Sequence, residues 1–170
     1  MVILGLGSNL SSNHGDRFYN IDAAVKYLEF YGIKLISKSS YYETPSYPDQ
    51  SNPKFINIII SVETKLPPTD LASILLFIEE KLERKRKNKN DPRTCDIDII
   101  DYNSQILDFK YLNFNFSVPH KEISNRNFVL IPLNEIIPTW RHPKTDNSIT
   151  NLIDKLPNVE KNSILKVKKN

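Results

Sequence analysis

One cysteine, Cys95, stands among the 170 residues. A lone thiol excludes an internal disulfide framework and any cysteine-built zinc site, and it suits a reducing, cytoplasmic setting. No apolar run reaches the roughly 18 residues that a membrane helix needs, so no membrane partner is expected. The opening stretch Met1–Leu6 lacks a basic segment and breaks at Gly5 and Gly7; it reads as a buried first strand, not a targeting signal. Internal repeats and low-complexity linkers are missing. So is the phosphate-cradling G-x-x-x-x-G-K-[ST], and Gly5-Leu6-Gly7 lacks the third glycine of a dinucleotide fingerprint. Its simplest role is a tight strand-to-helix connection. No H-E-x-x-H spacing marks a zinc site. His14 and His142, without supporting neighbours, read as surface residues.

What is present fits one folded domain over residues 1–170: 39% of residues are hydrophobic and 25% charged. The net charge of +3 is unevenly spread. Basic residues crowd the segment Lys81–Arg93, with only Glu83 and Asp91 between them, which points to a polyanionic ligand. The lysines between Lys161 and Lys169 read as a solvated end.

Hydrophobic periodicity predicts a strand over Val2–Leu6, a helix over Asp16–Tyr31 stopped by Gly32, and a strand over Ile33–Tyr42. A proline-bearing loop, Thr44–Pro53, leads to a β-branched strand, Phe55–Thr64. A second helix starts at Pro67-Pro68-Thr69 with the apolar stripe Leu71, Ile74, Leu75, Ile78 and Leu82, and runs into the basic segment. A strand follows at Thr94–Asp101, then short helices over Asn127–Ile136 and Ile149–Leu156 and a last strand over Ser163–Val167. The order β-α-β-β-α-β gives an α+β (broadly α/β) ferredoxin-like core, with an antiparallel sheet carrying two helices on one face. Added C-terminal elements would cover the other face as a three-layer α/β/α sandwich.

Asp96-Ile97-Asp98 is the sharpest chemical feature. Side chains alternate along a strand, so both carboxylates share one face while Cys95, Ile97 and Ile99 turn to the core. Paired hard oxygens suit magnesium, which takes one or two protein carboxylates and completes its shell from water and phosphates. Two such ions, about 4 Å apart, bridge a nucleotide's phosphates in known chemistry. Taken alone, the spacing also suits two solvent-facing acids on an edge strand. Arg84, Arg86 and Arg93 nearby favour phosphoryl transfer, where metal and guanidinium stabilise spread charge together. The lysines of Lys85–Lys89 equally suit a solvated helix end. His120, before a loop holding Asn125 and Arg126, is either a phosphate donor or a structural histidine. Cys95 turns from the acidic pair and has no activating base, so packing is its default role.

Gly7-Ser8-Asn9-Leu10, Tyr42-Glu43-Thr44-Pro45, Phe55-Ile56-Asn57, Glu79 with Arg84-Lys85-Arg86, Pro92-Arg93-Thr94-Cys95-Asp96-Ile97-Asp98-Ile99, and Val118-Pro119-His120 through Asn125-Arg126-Asn127-Phe128 occur in this order. The set resembles the 6-hydroxymethyl-7,8-dihydropterin pyrophosphokinase family over about residues 2–140; residues 141–170 stay unassigned. The resemblance implies transfer of diphosphate from ATP to the pterin in folate synthesis, with AMP as the other product. It implies that Asp96 and Asp98 bind two magnesium ions and, with Arg84 and Arg93, form the catalytic set. It implies ATP contacts from Glu79, Arg84, Arg86, Arg93, Ile99, His120 and Arg126. Thr44, Pro45, Phe55, Asn57, Asp96 and Phe128 would hold the pterin. It further implies a cytoplasmic monomer, possible association with the next folate enzyme, and no nucleic-acid partner. One departure stands out: the family commonly carries Arg-Trp-Gly-Pro-Arg-Thr where this chain reads Lys89-Asn90-Asp91-Pro92-Arg93-Thr94. Asn90 therefore replaces a ring-closing tryptophan, with Arg86 and Lys87 or Lys89 left as the mobile cations.

Overall fold

The computed structural model describes residues 1–86 and 91–169. The expectations placed on Lys87, Lys89 and Asn90 lie outside the described residues. Among those described, no helix is long and apolar enough to cross a membrane.

The elements run β1 (Val2–Ser8), α1 (Arg17–Phe30), β2 (Lys34–Lys38), β3 (Tyr41–Thr44), β4 (Phe55–Glu63), α2 (Pro68–Lys81) and β5 (Asp96–Tyr102). After them come β6 (Leu107–Tyr111), β7 (Phe114–Val118), a 3-10 turn (Ile123–Asn125), α3 (Asn127–Ile136), α4 (Ile149–Lys155), α5 (Asn158–Asn162) and β8 (Leu165–Val167). The main sheet is ordered β5-β1-β4-β3-β8, with β2 also paired to β4, and every pairing in it is antiparallel. This is the expected ferredoxin-like core, extended at one edge by β8.

Local chemistry sets the boundaries. Asp16 caps α1 by accepting from Tyr19 N at 2.8 Å. Gly32 takes φ +76° just past the helix, a conformation that glycine adopts at little cost. Pro68 opens α2, where its missing N–H matters least. The single strand predicted over Ile33–Tyr42 is two strands. Ser39 N donates to Ile59 O at 2.9 Å, and Ser39 Oγ accepts from Ile59 N at 3.0 Å. A hydroxyl thus takes the ladder bond that a backbone carbonyl would fill, and the strand is interrupted there.

The sheet has two faces. Leu4 and Leu6 of β1, Ile58 and Ile60 of β4, and Ile97 and Ile99 of β5 pack under α1 and α2. Each such side chain, fully buried, contributes roughly 1.5–3 kcal/mol. On the opposite face Ile3, Ile59 and Ile100 pack against α3, α4 and Trp140. The register of β5 shifts opposite Ile3–Leu4, leaving Ile100 as the extra residue of a bulge. Trp140 Nε1 donates to the buried Asp101 Oδ2 at 2.8 Å and pins this second layer to the sheet.

Three elements, β6, β7 and α5, went unanticipated. β6 and β7 form a hairpin whose Phe109 and Phe116 rings stack at 5.0 Å. Its Tyr111 hydroxyl meets Ser73 of α2 at 2.7 Å. α5 is a short helix after Pro157. His142 is buried, contrary to the surface role expected: its Nδ1 accepts from Lys144 N at 3.1 Å and Thr145 N at 3.3 Å, closing a turn. His14 is exposed as anticipated, 3.9 Å from Glu83.

Candidate active site

Gly7 and Ser8 belong to β1 and not to a strand-to-helix connection. Gly5 faces Asp98 and Gly7 faces Asp96 across the β1–β5 ladder, and Gly7 faces Asn57 of β4 on its other side. Because alternation puts Gly5 and Gly7 on the face opposite Leu4 and Leu6, β1 contributes no side chain to the centre of that face. A Cβ on Gly7 would lie 3.1 Å from Asn57 Oδ1. These bare positions floor a cavity of about 1430 Å³, above the usual range for one small ligand. The glycines were the signal of the floor, since a glycine within a strand marks close approach.

Thr44, Pro45, Phe55, Asn57, Arg84, Arg86, Arg93, Asp96, Asp98, His120, Arg126 and Phe128 all line this one cavity. Ile99 does not: its side chain is 4% exposed and packs in the α1–α2 core. Glu79 sits behind the wall, also buried.

Helix α2 does not run on into the basic segment. It ends at Lys81, Glu83 takes φ +65°, and the chain turns back so that Arg84 N donates to Glu79 O at 3.0 Å. The Glu79 carboxylate accepts from Arg84 Nη1 at 2.6 Å, from Ile97 N at 2.8 Å and from Arg86 Nη2. Ile97 lies between the two aspartates, so one carboxylate orients two arginines and the acidic strand together. Burial pushes the Glu79 carboxyl up, and Asp96 adds to this, while Arg84 and Arg86 pull against both.

Asp96 is paired on both oxygens, with Arg84 Nη1 and with Arg93 Nε at 2.7 Å. Burial opposes its ionisation, but Arg93 and Arg84 outweigh it and hold the carboxyl below its ordinary range. Asp98 meets Arg126 Nη1 at 3.3 Å. Burial and the neighbouring Asp96 push its carboxyl up against the pull of His120 and Arg126. Burial lowers the His120 imidazole despite the facing Asp98. The acidic pair is thus unevenly neutralised, and its outer member lacks a full counter-charge.

On the other side, Asn57 is 6% exposed and donates Nδ2 to Thr44 Oγ1 at 3.0 Å. The Arg93 guanidinium lies 5.0 Å from the Phe55 ring centre, and that of Arg126 lies 5.5 Å from Phe128. Each ring therefore carries a cation that also faces the acidic pair, so the aromatic slot and the charged floor are contiguous. Asn9 ties the chain before Phe55 to Arg93: Nδ2 donates to Pro53 O at 3.0 Å, and Oδ1 accepts from Arg93 N at 2.7 Å. Asn9 and Asn127 lie within the quoted motifs but carry no expected role there; the structure shows the contacts they make.

Carboxylates ringed by guanidinium beside an amide and two aromatic faces are the equipment of a nucleotide-dependent transferase of phosphoryl-type groups. A model of the 7,8-dihydro-6-hydroxymethylpterin-pyrophosphokinase family matches residues 3–138. A 2-amino-4-hydroxy-6-hydroxymethyldihydropteridine pyrophosphokinase of Synechocystis sp. is 35% identical over 157 residues, covering 91% of this chain and 75% of that protein. The mitochondrial folate synthesis bifunctional protein of Pisum sativum is 34% identical over 138 residues, covering 81% of this chain and 25% of that one. The crystal structure of Plasmodium falciparum HPPK-DHPS shares the fold at TM-score 0.71 and 18% identity, over 91% of this chain and 44% of that one. The chain belongs to the 7,8-dihydro-6-hydroxymethylpterin-pyrophosphokinase family and is a pyrophosphokinase of folate biosynthesis.

Proposed function

We propose that the chain transfers diphosphate from ATP to the hydroxymethyl group of 6-hydroxymethyl-7,8-dihydropterin, with magnesium held at Asp96 and Asp98. The observation that carries this is one cavity holding the co-facial acidic pair, the arginine ring and the Phe55–Asn57–Phe128 slot.

The donor set fits magnesium. Among the described residues no group of three His, Cys, Asp or Glu side chains is placed to hold a metal. Two carboxylates, one of them incompletely neutralised, leave most of a coordination shell to phosphates and water. When bound, the metal would supply charge neutralisation at the phosphates and acidify a nearby hydroxyl.

The chain's own groups do the rest. Phe55 and Phe128 offer faces to a flat heterocycle. Asn57 Nδ2 is used by Thr44 Oγ1, which leaves Oδ1 to accept from the ring edge. Arg84 and Arg93, resting on Asp96, are close enough to exchange that carboxylate for phosphate oxygens, with Arg86, Arg126 and His120 at the margin. The hydroxyl oxygen bonds to the β-phosphorus, the bond from that phosphorus to the α–β bridging oxygen breaks, AMP departs with the bridging oxygen, and the hydroxyl proton is released. Guanidinium groups fixed in advance stabilise the charge that spreads over the transferring oxygens.

Residues 1–170 are read as one domain, a cytoplasmic monomer. The bifunctional pea relative supports association with the next folate enzyme. The test is AMP release from ATP and magnesium with and without the reduced pterin. Pterin-dependent AMP is expected. Release of AMP or ADP that ignores the pterin would refute the assignment.

A further inference from the structure

The last two elements grip the rest of the fold at three places, one of which, Asn127 with Glu160 and Ser163, lies on the cavity wall. β8 pairs with β3, matching Glu43 to Leu165, Tyr42 to Lys166 and Tyr41 to Val167. β3 ends in Thr44, the partner of Asn57. Asn127, the first residue of α3 and 3% exposed, donates Nδ2 to Glu160 O at 2.6 Å and to Ser163 Oγ at 3.0 Å. Both amide hydrogens are thereby used, and the next residue is Phe128. Lys166 Nζ donates to Glu135 Oε1 at 2.9 Å. The same carboxylate accepts from Ser40 N at 2.9 Å, Ser40 Oγ at 2.8 Å and the Tyr42 hydroxyl at 3.0 Å.

These contacts close a ring: β3 to β8, through Ser163 to Asn127, along α3 to Glu135, and back to β3. Asn127 and Glu135 are spaced by about two turns, roughly 12 Å of helix, so α3 is held at both ends. Phe128 stands at one end of this ring and Thr44 at the other. Glu160 and Ser163 line the cavity beside them. The segment supplying Glu160, Ser163 and Lys166 lies beyond the family match, which stops at residue 138.

We infer that this ring sets the width of the pterin slot, with Asn127 and Ser163 as positioning residues that hold Phe128 at its working separation from Thr44 and Asn57. The inference rests on the pterin assignment above. Face-to-face contact is steep in distance: a gap widened by about 0.5–1 Å forfeits a quarter to a half of the attraction. Three of the nucleotide-side arginines hang on different supports, Arg84 and Arg86 on Glu79 and Arg93 on Asp96, and only Arg126 adjoins Asn127, so the larger effect falls on the pterin.

The test uses the full chain carrying Asn127→Ala or Ser163→Ala. Calorimetry measures the reduced pterin and a non-hydrolysable ATP analogue with magnesium as separate ligands, alongside kcat, KM and a thermal melt. Asn127→Ala is expected to weaken pterin binding and raise its KM about tenfold, with nucleotide affinity changed less than about twofold. Ser163→Ala keeps the Glu160 acceptor and is expected to give about a threefold loss; it carries the test if Asn127→Ala does not fold. Equal losses for both ligands, or a lower melting temperature with unchanged pterin affinity, would overturn the inference. Asn57→Ala runs beside them. If it leaves pterin affinity intact, the pterin assignment itself falls. If it weakens pterin while the other two variants do not, only the ring falls.

Discussion

Replacing Asp98 by asparagine is predicted to raise stability while removing turnover. Asp96 and Asp98 share a strand face, about 6.6 Å apart by strand rise. At an effective dielectric near 20 their repulsion is roughly 2.5 kcal/mol, and solvent access to Asp98, whose side chain is 38% exposed, cuts that to ~1–2 kcal/mol. The substitution also loses the Asp98–Arg126 pair at 3.3 Å, a partly exposed contact worth at most ~1 kcal/mol. The balance favours the variant by about 1 kcal/mol, or ~2–4 °C in Tm for a chain this long. Turnover runs the other way. Loss of a group that stabilises transferring charge costs about 10²–10³-fold, and a carboxylate with the proposed metal role belongs at the upper end. The assay is AMP release at saturating ATP, magnesium and pterin, with a melt in chelator. Added magnesium should raise the Tm of the parent and not of the variant. A variant that turns over normally would refute the metal assignment. One that loses several degrees in chelator would refute the repulsion estimate.

Glu79→Gln keeps the shape but removes the charge that Arg84 and Arg86 share; kcat/KM should fall about 10–100-fold, ~1.4–2.8 kcal/mol, and parental kinetics would count against its orienting role. Trp140→Phe deletes the donor to buried Asp101 at 2.8 Å; a loss of about 1–3 kcal/mol is expected, seen as a lower urea midpoint with unaltered kcat. The carboxyl of Glu135 is opposed by burial, yet hydrogen bonds from Lys166, Ser40 and Tyr42 hold it down at about 2 from an ordinary 4.5. Its contribution is therefore complete above about pH 4.5 and fades as acid approaches pH 2. Acid unfolding of Glu135→Gln should be flatter across that window, and an unchanged slope would discount the carboxylate.

The core was legible where periodicity and punctuation agreed. Helix α3 could be bounded because Asn127–Ile136 carries an apolar stripe, and α1 because Asp16 and Gly32 frame it. The β2–β3 break escaped notice because it depends on a serine hydroxyl entering the ladder, a tertiary event with no local mark. The β6–β7 hairpin did carry a mark. Leu107-Asp108-Phe109-Lys110-Tyr111 alternates cleanly, but its turn uses Leu112 at φ +51° where Asn-Gly would have announced it. The acidic pair was readable from strand alternation, and the structure adds that its members are neutralised unequally. The fold-back of Arg84 and Arg86 onto Glu79 hinges on a left-handed Glu83, a residue type that gives no warning of that conformation.

Strand β1 changes duty along its length. At the Ile3 end its upper surface lies beneath α3 and α4; from Gly5 to Gly7 the same surface floors the cavity, with Ile59 and Ile100 leaning over Gly5 and Asn57 and Phe55 over Gly7. Its underside, Leu4 and Leu6, remains sealed against α1 and α2 throughout. Folding is therefore secured from below, and the glycine half of the upper surface is kept low enough for a cavity to form over it. Even one added methyl there would press on Ile59 and Ile100 from Gly5, or on Asn57 from Gly7, so the shape of the binding floor and the packing of the second layer are written in the same two glycines.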